Sequence, residues 1–173
     1  MTLSKVSEST ANKSRMQLKM QDYLQVVSFR LGVEEYAVEI TKVKEIILVE
    51  GITKVPQMPA YIEGVINLRG TVIPVLDLRK RFDIGCTQIT EHTRIVVTRL
   101  EGRIIGMIVD SVSRVMKIPR ADIQPPPETI ACVAGEYLVG VAKLEDRMQL
   151  LLDIDKVLRR DQQVQLHTLV AAG

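Results

Sequence analysis

Apolar and polar residues alternate with a period of two along most of this chain, and stretches with a helical period are short. In YLQVVSFRL, residues 23–31, Val27, Phe29 and Leu31 share one face, which predicts a half-buried strand. In TRIVVTRLEGRIIGMIVD, residues 93–110, two β-rich runs flank Glu101-Gly102, and Gly102 is free to take a positive φ. That is a hairpin pattern. Short Val and Ile runs recur at close intervals with turns between them, and long helices are absent. The expected fold is mainly β, built as a barrel or sandwich.

The pattern repeats. YIEGVINLRGTVIPVLDLRKRF (61–82) lies over YLVGVAKLEDRMQLLLDIDKVL (137–158) without a gap at an offset of 76. Seven of the 22 positions are identical, among them Tyr61/Tyr137, Gly64/Gly140 and Asp77/Asp153, too many for chance matching of β-rich segments. A weaker echo at an offset of 69 sets residues 27–47 over 96–116, with Val43 facing Val112. The chain therefore reads as two related units, 22–82 and 92–158, the second with an insertion near QPPPETIACVAGE. Residues 1–20, rich in Ser, Thr, Asn and Lys, read as a disordered tail, and 159–173 as a second tail.

Within the first unit, residues 64–68 and 71–76 read as paired strands with Arg69-Gly70 as the turn. Asp77 is placed to N-cap a short helix, with Leu78 and Phe82 on one face, and Asp153 is placed to do the same in the second unit. Pro74 has no N–H to give, so its strand is expected at an edge or to end there. The basic run 79–81 reads as the solvated face of the helix. The two copies share apolar positions but differ at the turn, Arg69-Gly70 against Glu145-Asp146. Asn67, Arg69 and Gly70 are thus candidates for something specific to the first unit.

Composition narrows the function. Apolar residues make up 46% of the 173, enough for a core, and 23 basic against 21 acidic residues give a net charge of +2. Neither nucleic acid nor anionic membrane is favoured by that balance. Aromatics at 3%, with no Trp, leave few platforms for base stacking. No apolar leader is present and the longest apolar runs are too short to span a bilayer, so a soluble cytoplasmic protein is expected. Cys86 and Cys132 show no metal or redox spacing, and read as two small thiols. His92 and His167 have no neighbours at metal spacing, and no phosphate-binding glycine loop occurs. No catalytic constellation or cofactor site can be assembled.

The segments VINLRGTVIPVLDLRKRF (65–82), EEYAVEITKVKEI (34–46) and EYLVGVAKLEDRMQLLLDIDKVL (136–158) together resemble the CheW family of bacterial chemotaxis coupling proteins. The resemblance runs from Tyr23 to Leu158 in the expected order, making 21–158 one CheW-like domain. It implies two small SH3-like five-stranded β-barrels packed together, with short helices, and strands that cross between barrels. It implies a non-catalytic adaptor that links chemoreceptor cytoplasmic tips to the regulatory domain of the histidine kinase CheA. The kinase and the CheV type carry further domains for which this chain has no room.

Carried onto this chain, the family pattern marks Val43, Glu45 and Ile46, then Gly64, Asn67, Arg69 and Gly70, and Val112 as a protein-binding set. Val43 and Ile46, spaced i and i+3, are expected to project together from one helical turn beside a groove. Plain core packing competes for Val43, Ile46 and Val112. For Arg69, a solvated turn charge and an ion pair with Glu45 both compete. The alternative function is a nucleic-acid-binding β-barrel, since SH3-like barrels occur in that role; an enzyme of unrecognised type is the third reading.

Overall fold

The structure is a computed structural model and describes residues 22–126 and 137–157. Both expected tails, Cys132 and most of the insertion lie outside the described residues. The elements are β1 (Tyr23–Leu31), β2 (Glu34–Glu39), β3 (Val43–Leu48), β4 (Ile62–Leu68), β5 (Thr71–Asp77), α1 (Leu78–Arg81), β6 (Arg94–Leu100), β7 (Arg103–Val109), β8 (Ser111–Pro119), β9 (Ile123–Gln124), β10 (Leu138–Leu144), β11 (Arg147–Leu152) and α2 (Ile154–Val157). They form two sheets with few short helices, as the mainly β reading requires. A central sheet has the order β3-β6-β7-β5-β4, and a terminal sheet has the order β8-β1-β2-β11-β10-β9. Neither ladder closes on itself, so the barrels are open ones.

The repeat seen in the sequence is a repeat in space. β4–β5 and β10–β11 are hairpins with a register shift at the same place, between Ile62 and Gly64 in one and Leu138 and Gly140 in the other. The turns match as well: Arg69 and Gly70 take φ of 51° and 87°, Glu145 and Asp146 take 48° and 65°. Positive φ at both central residues is the type I′ geometry whose twist fits a hairpin. Asp77 Oδ1 accepts from Arg79 N at 3.0 Å and Asp153 Oδ1 accepts from Asp155 N at 3.0 Å, so both aspartates cap their helices. The weaker echo also holds. The shift between Val43 and Glu45 in the β3–β6 pair has its equal in the β1–β8 pair, where Phe29 faces Val112 and Ser28 faces Arg114.

The two sequence units do not map onto the two sheets. The central sheet takes β3, β4 and β5 from the first unit and the β6–β7 hairpin from the second. The terminal sheet takes the β1–β2 hairpin from the first and β8 to β11 from the second. The units have exchanged hairpins. The chain passes between sheets twice, from β2 to β3 and from β7 to β8. At the second crossing Asp110 accepts from Gly32 N (2.8 Å) and from Arg79 Nε (2.8 Å), tying the β1–β2 turn to α1. The Asp110 hydrogen bond raises the Arg79 pKa above its ordinary value.

Burial follows this plan. Ile66, Ile73, Val75, Ile95, Val97 and Ile108 form a core inside the central sheet, and Val26, Ala37, Ile118, Ala142 and Leu151 its counterpart in the terminal sheet. A larger core joins the sheets, running from Phe29 and Tyr36 through Phe82 to Tyr137. Rings follow one another along it at centroid distances of 6.1, 5.7 and 5.3 Å, the outer two pairs stacked and Tyr36–Phe82 tilted.

Three expectations are corrected. β1 is buried on both faces at its middle, because Val26 lies in the terminal-sheet core while Phe29 and Leu31 lie in the shared one. β5 is an interior strand, paired with β4 and β7. Pro74 is tolerated there because Val65, its partner, sends both its N–H and its carbonyl to Thr53, which leaves the Pro74 nitrogen facing β7, and the β7 ladder begins only at Val75. The basic run of α1 is engaged rather than solvated. Arg79 meets Asp110 and Lys80 meets Glu63. Arg81 lies over the rings of Tyr61 and Tyr137, 5.0 and 4.8 Å from their centroids, and donates to Val157 O at 2.7 Å. Those two tyrosines are repeat-equivalent, so one arginine pins both units together.

Candidate functional site

The β4–β5 turn is built by its own residues. Asn67 Oδ1 accepts from Gly70 N at 2.8 Å, bracing the turn from its base. Arg69 and Gly70 then both adopt left-handed backbone, and the Arg69 side chain reaches across to β3. There its guanidinium meets Glu45 Oε2 at 2.8 Å. Of the readings open from sequence, the ion pair with Glu45 is the one the structure shows. Arg69 is 73% exposed and Glu45 20%. Glu45 Oε1 is buried and, among the described residues, has no hydrogen-bond partner. The carboxylate therefore depends on Arg69 for its charge compensation.

β3 and the β4–β5 hairpin stand at the two ends of the central sheet order, so this pair bridges the open side of the barrel. The same bridge exists across the terminal sheet with its charges inverted. Arg114 on β8 meets Glu145 of the β10–β11 turn at 3.7 Å. Arg114 is the repeat equivalent of Glu45, and Glu145 that of Arg69. Sequence reasoning missed this second pair, although the two offsets, 69 and 76, name both residues.

The other marked positions divide. Gly64 is buried in β4 with φ of 151°, and a Cβ there would lie 2.0 Å from Thr53 O. Its place is set by the close approach of the Thr53 backbone, and it offers no surface. Val43 and Ile46 do not sit on a helical turn. The 3₁₀ turn ends at Lys42, and both residues belong to strand β3. Alternation puts Val43, Glu45 and Ile47 half-buried on one face and Lys44, Ile46 and Leu48 exposed on the other. Val43 packs against the shared core, and Ile46 is 39% exposed on the opposite side. Val112, the second residue of β8, is half-buried against the same core as Val43. The structure thus brings Glu45, Asn67, Arg69 and Gly70 into one surface feature, while Ile46 and Leu48 are exposed on the opposite face of β3. Val43 and Val112 are half-buried against the shared core, and Gly64 is buried beneath Thr53.

Among the described residues, no three His, Cys, Asp or Glu side chains are grouped to hold a metal. The feature is a charged turn braced by Asn67 and tied to β3 through Glu45.

Comparison with known proteins follows the same lines. The model of the CheW-like domain matches residues 25–162. The chain is 39% identical over 134 residues to the chemotaxis protein CheW of Klebsiella aerogenes, spanning 78% of this chain and 81% of that one. It is 33% identical over 154 residues to the CheW of Helicobacter pylori, spanning 89% and 93%. The crystal structure of the scaffolding protein TtCheW from Thermoanaerobacter tengcongensis aligns with a TM-score of 0.74 at 36% identity, covering 80% of this chain and 90% of that one. A match that runs through both sheets and both bridged turns leaves one conclusion: the chain belongs to the CheW family of chemotaxis scaffold proteins.

Proposed function

We propose that this chain is a non-catalytic adaptor that couples chemoreceptor cytoplasmic tips to the regulatory domain of the kinase CheA, in the cytoplasm at membrane-associated receptor arrays. The carrying observation is the Arg69–Glu45 bridge, which holds an exposed guanidinium at a fixed place on a rigid turn. Arginine is among the residues enriched in interface hot spots, and the pair with Glu45 preorganises this one. Asn67 and Gly70 hold that turn, Gly64 sets the hairpin beneath it, and Val43 and Val112 fix the starts of β3 and β8. Coupling requires that the bound adaptor favour one receptor state over another, typically by about 1–3 kcal/mol per site.

The test is titration of the folded chain with the kinase regulatory domain and with a receptor tip, for wild type and for Arg69→Ala. The variant loses a mostly exposed pair but strands a half-buried carboxylate, a stability cost of about 1 kcal/mol. Binding to at least one partner should fall by about 2 kcal/mol or more, some thirtyfold. Unchanged affinity for both partners would reject Arg69 as a contact. A folded wild type that binds neither would reject the adaptor reading itself.

A further inference from the structure

The hairpin units β4–β5–α1 and β10–β11–α2 are repeat copies, and each docks through a parallel strand in the same register. Leu151 pairs with Ala37 in the terminal sheet as Val75 pairs with Gly106 in the central one. Backbone pairing therefore does not tell the two hairpins apart. At about 3.3 Å per residue, the connecting stretches 49–61, 82–93 and 125–137 are long enough to reach either sheet. The side chains at the docking seams do tell them apart. In the terminal barrel Ser28 Oγ donates to Gln149 Oε1 at 3.0 Å, and Gln149 Nε2 donates to Glu35 Oε2. Arg147 completes the set, 3.0 Å from Glu35 Oε1. Ser28, Glu35 and Gln149 are all buried. Their repeat equivalents Val97, Ile104 and Ile73 form or pack against the apolar core of the central barrel, and Thr71 stands in place of Arg147.

The surface contacts differ in the same sense. The Arg69–Glu45 and Glu145–Arg114 bridges have opposite polarity. Arg79 on α1 meets Asp110 at 2.8 Å, whereas Asp155 and Thr41 hold those two places in the other copy. Set each hairpin on the other barrel, and Arg69 meets Arg114, Glu145 meets Glu45 and Asp155 meets Asp110. Inside, Ser28 and Glu35 would face Ile73, and Gln149 would face Ile104 and Val97. Buried polar groups would then have no partners, the costly state for an amide or a carboxylate. From these contacts we infer that the polar side chains at the seams assign each repeat hairpin to its barrel and exclude the interchanged fold. The hairpin side of this code lies at positions 69, 71, 73 and 79 in one copy and 145, 147, 149 and 155 in the other. The inference goes beyond the adaptor reading and does not depend on it. Placement matters for the surface all the same, because on the wrong barrel the Arg69 turn would leave Glu45 and stand beside β8.

The experiment exchanges the code between hairpins in the full chain. One hairpin takes Arg69→Glu, Thr71→Arg, Ile73→Gln and Arg79→Asp, and the other takes Glu145→Arg, Arg147→Thr, Gln149→Ile and Asp155→Arg. With Cys86→Ser and Cys132→Ser, nitroxide pairs are attached at Lys143→Cys with Lys117→Cys and at Lys143→Cys with Leu48→Cys, all exposed positions. Leu48 on β3 is the repeat equivalent of Lys117 on β8, so pulsed-EPR distances report which sheet holds β10. After refolding from urea, the exchanged chain should lose the original 143–117 distance, and its 143–48 distance should take that value. An exchanged chain that keeps the original distances overturns the proposal. So does one that fails to refold, because every exchanged residue has its partner in the interchanged fold. Urea midpoints of Ile73→Gln, Gln149→Ile and the double variant give a second reading. The double should be no less stable than the worse single, since interchange pairs the new glutamine with Ser28 and Glu35. Losses that simply add, as for independent sites, overturn the proposal as well.

Discussion

Replacing Gly64 by alanine puts one methyl group where the backbone allows none. The new Cβ would stand 2.0 Å from Thr53 O and 2.7 Å from Thr53 C. Reaching ordinary contact means a retreat of roughly 1.4 Å, and the obstacle is backbone, which cannot swing aside as a side chain does. Two hydrogen bonds hold that backbone in place, Thr53 N to Val65 O at 2.8 Å and Val65 N to Thr53 O at 2.9 Å. Losing them costs about 0.5–1.5 kcal/mol each. The φ of 151° adds strain of about 1–3 kcal/mol for any residue with a side chain. The sum is about 2–6 kcal/mol, a large share of the 5–15 kcal/mol typical of a domain. Urea unfolding followed by far-UV circular dichroism measures it. Gly70→Ala is the internal reference: its φ is 87° but no atom lies within 4 Å of the added Cβ, so only strain of about 1 kcal/mol remains. If Gly64→Ala is no more destabilising than Gly70→Ala, the close-approach argument is wrong.

Strand placement predicts that Ile46→Asp changes stability by less than about 0.5 kcal/mol, while Val43→Asp, against the shared core, costs about 1–3 kcal/mol; equal melting temperatures would refute the alternation. Asp110→Ala removes two charge-assisted hydrogen bonds from Arg79 and the acceptor for Gly32 N, and should cost about 1.5–3 kcal/mol in chemical denaturation. Because the largest core draws on both sheets, calorimetry should show one unfolding transition, and two well-separated ones would count against the shared core.

The sequence was most legible where it repeats. Gly64 and Gly140, Asp77 and Asp153, and the two hairpin turns could be paired by offset alone, and each pair does the same structural work. It was least legible where a short stretch fits two periods. Val43 and Ile46 satisfy i, i+3 for a helix, yet Val43, Glu45 and Ile47 also alternate as a strand, and in six residues neither period outweighs the other. Hairpin exchange came only from the family resemblance and not from the residue pattern, for a different reason. β1 and β6 are equivalents with the same pattern of faces, so β3 finds a suitable apolar neighbour in either, and only the three-dimensional pairing distinguishes them. The basic run of α1 misled because its partners, Glu63, Asp110 and the two tyrosines, lie in other elements.

The exchange of hairpins also sets an order of events on the ribosome. β3 to β7 are contiguous, so the central sheet has all its strands once residue 109 has emerged. β1 and β2 are made first but find their partners last. β1 pairs with β8 and β2 with β11, so Val26 and Ala37, which pack with Ile118, Ala142 and Leu151, stay uncovered until nearly the whole chain exists. For that interval the nascent protein carries a bare hairpin with two open edges, the kind of surface that recruits chaperones or misassembles with a neighbouring chain. Slowed translation between residues 110 and 150 would lengthen the exposure and should lower the soluble yield more than an equal delay placed before residue 40.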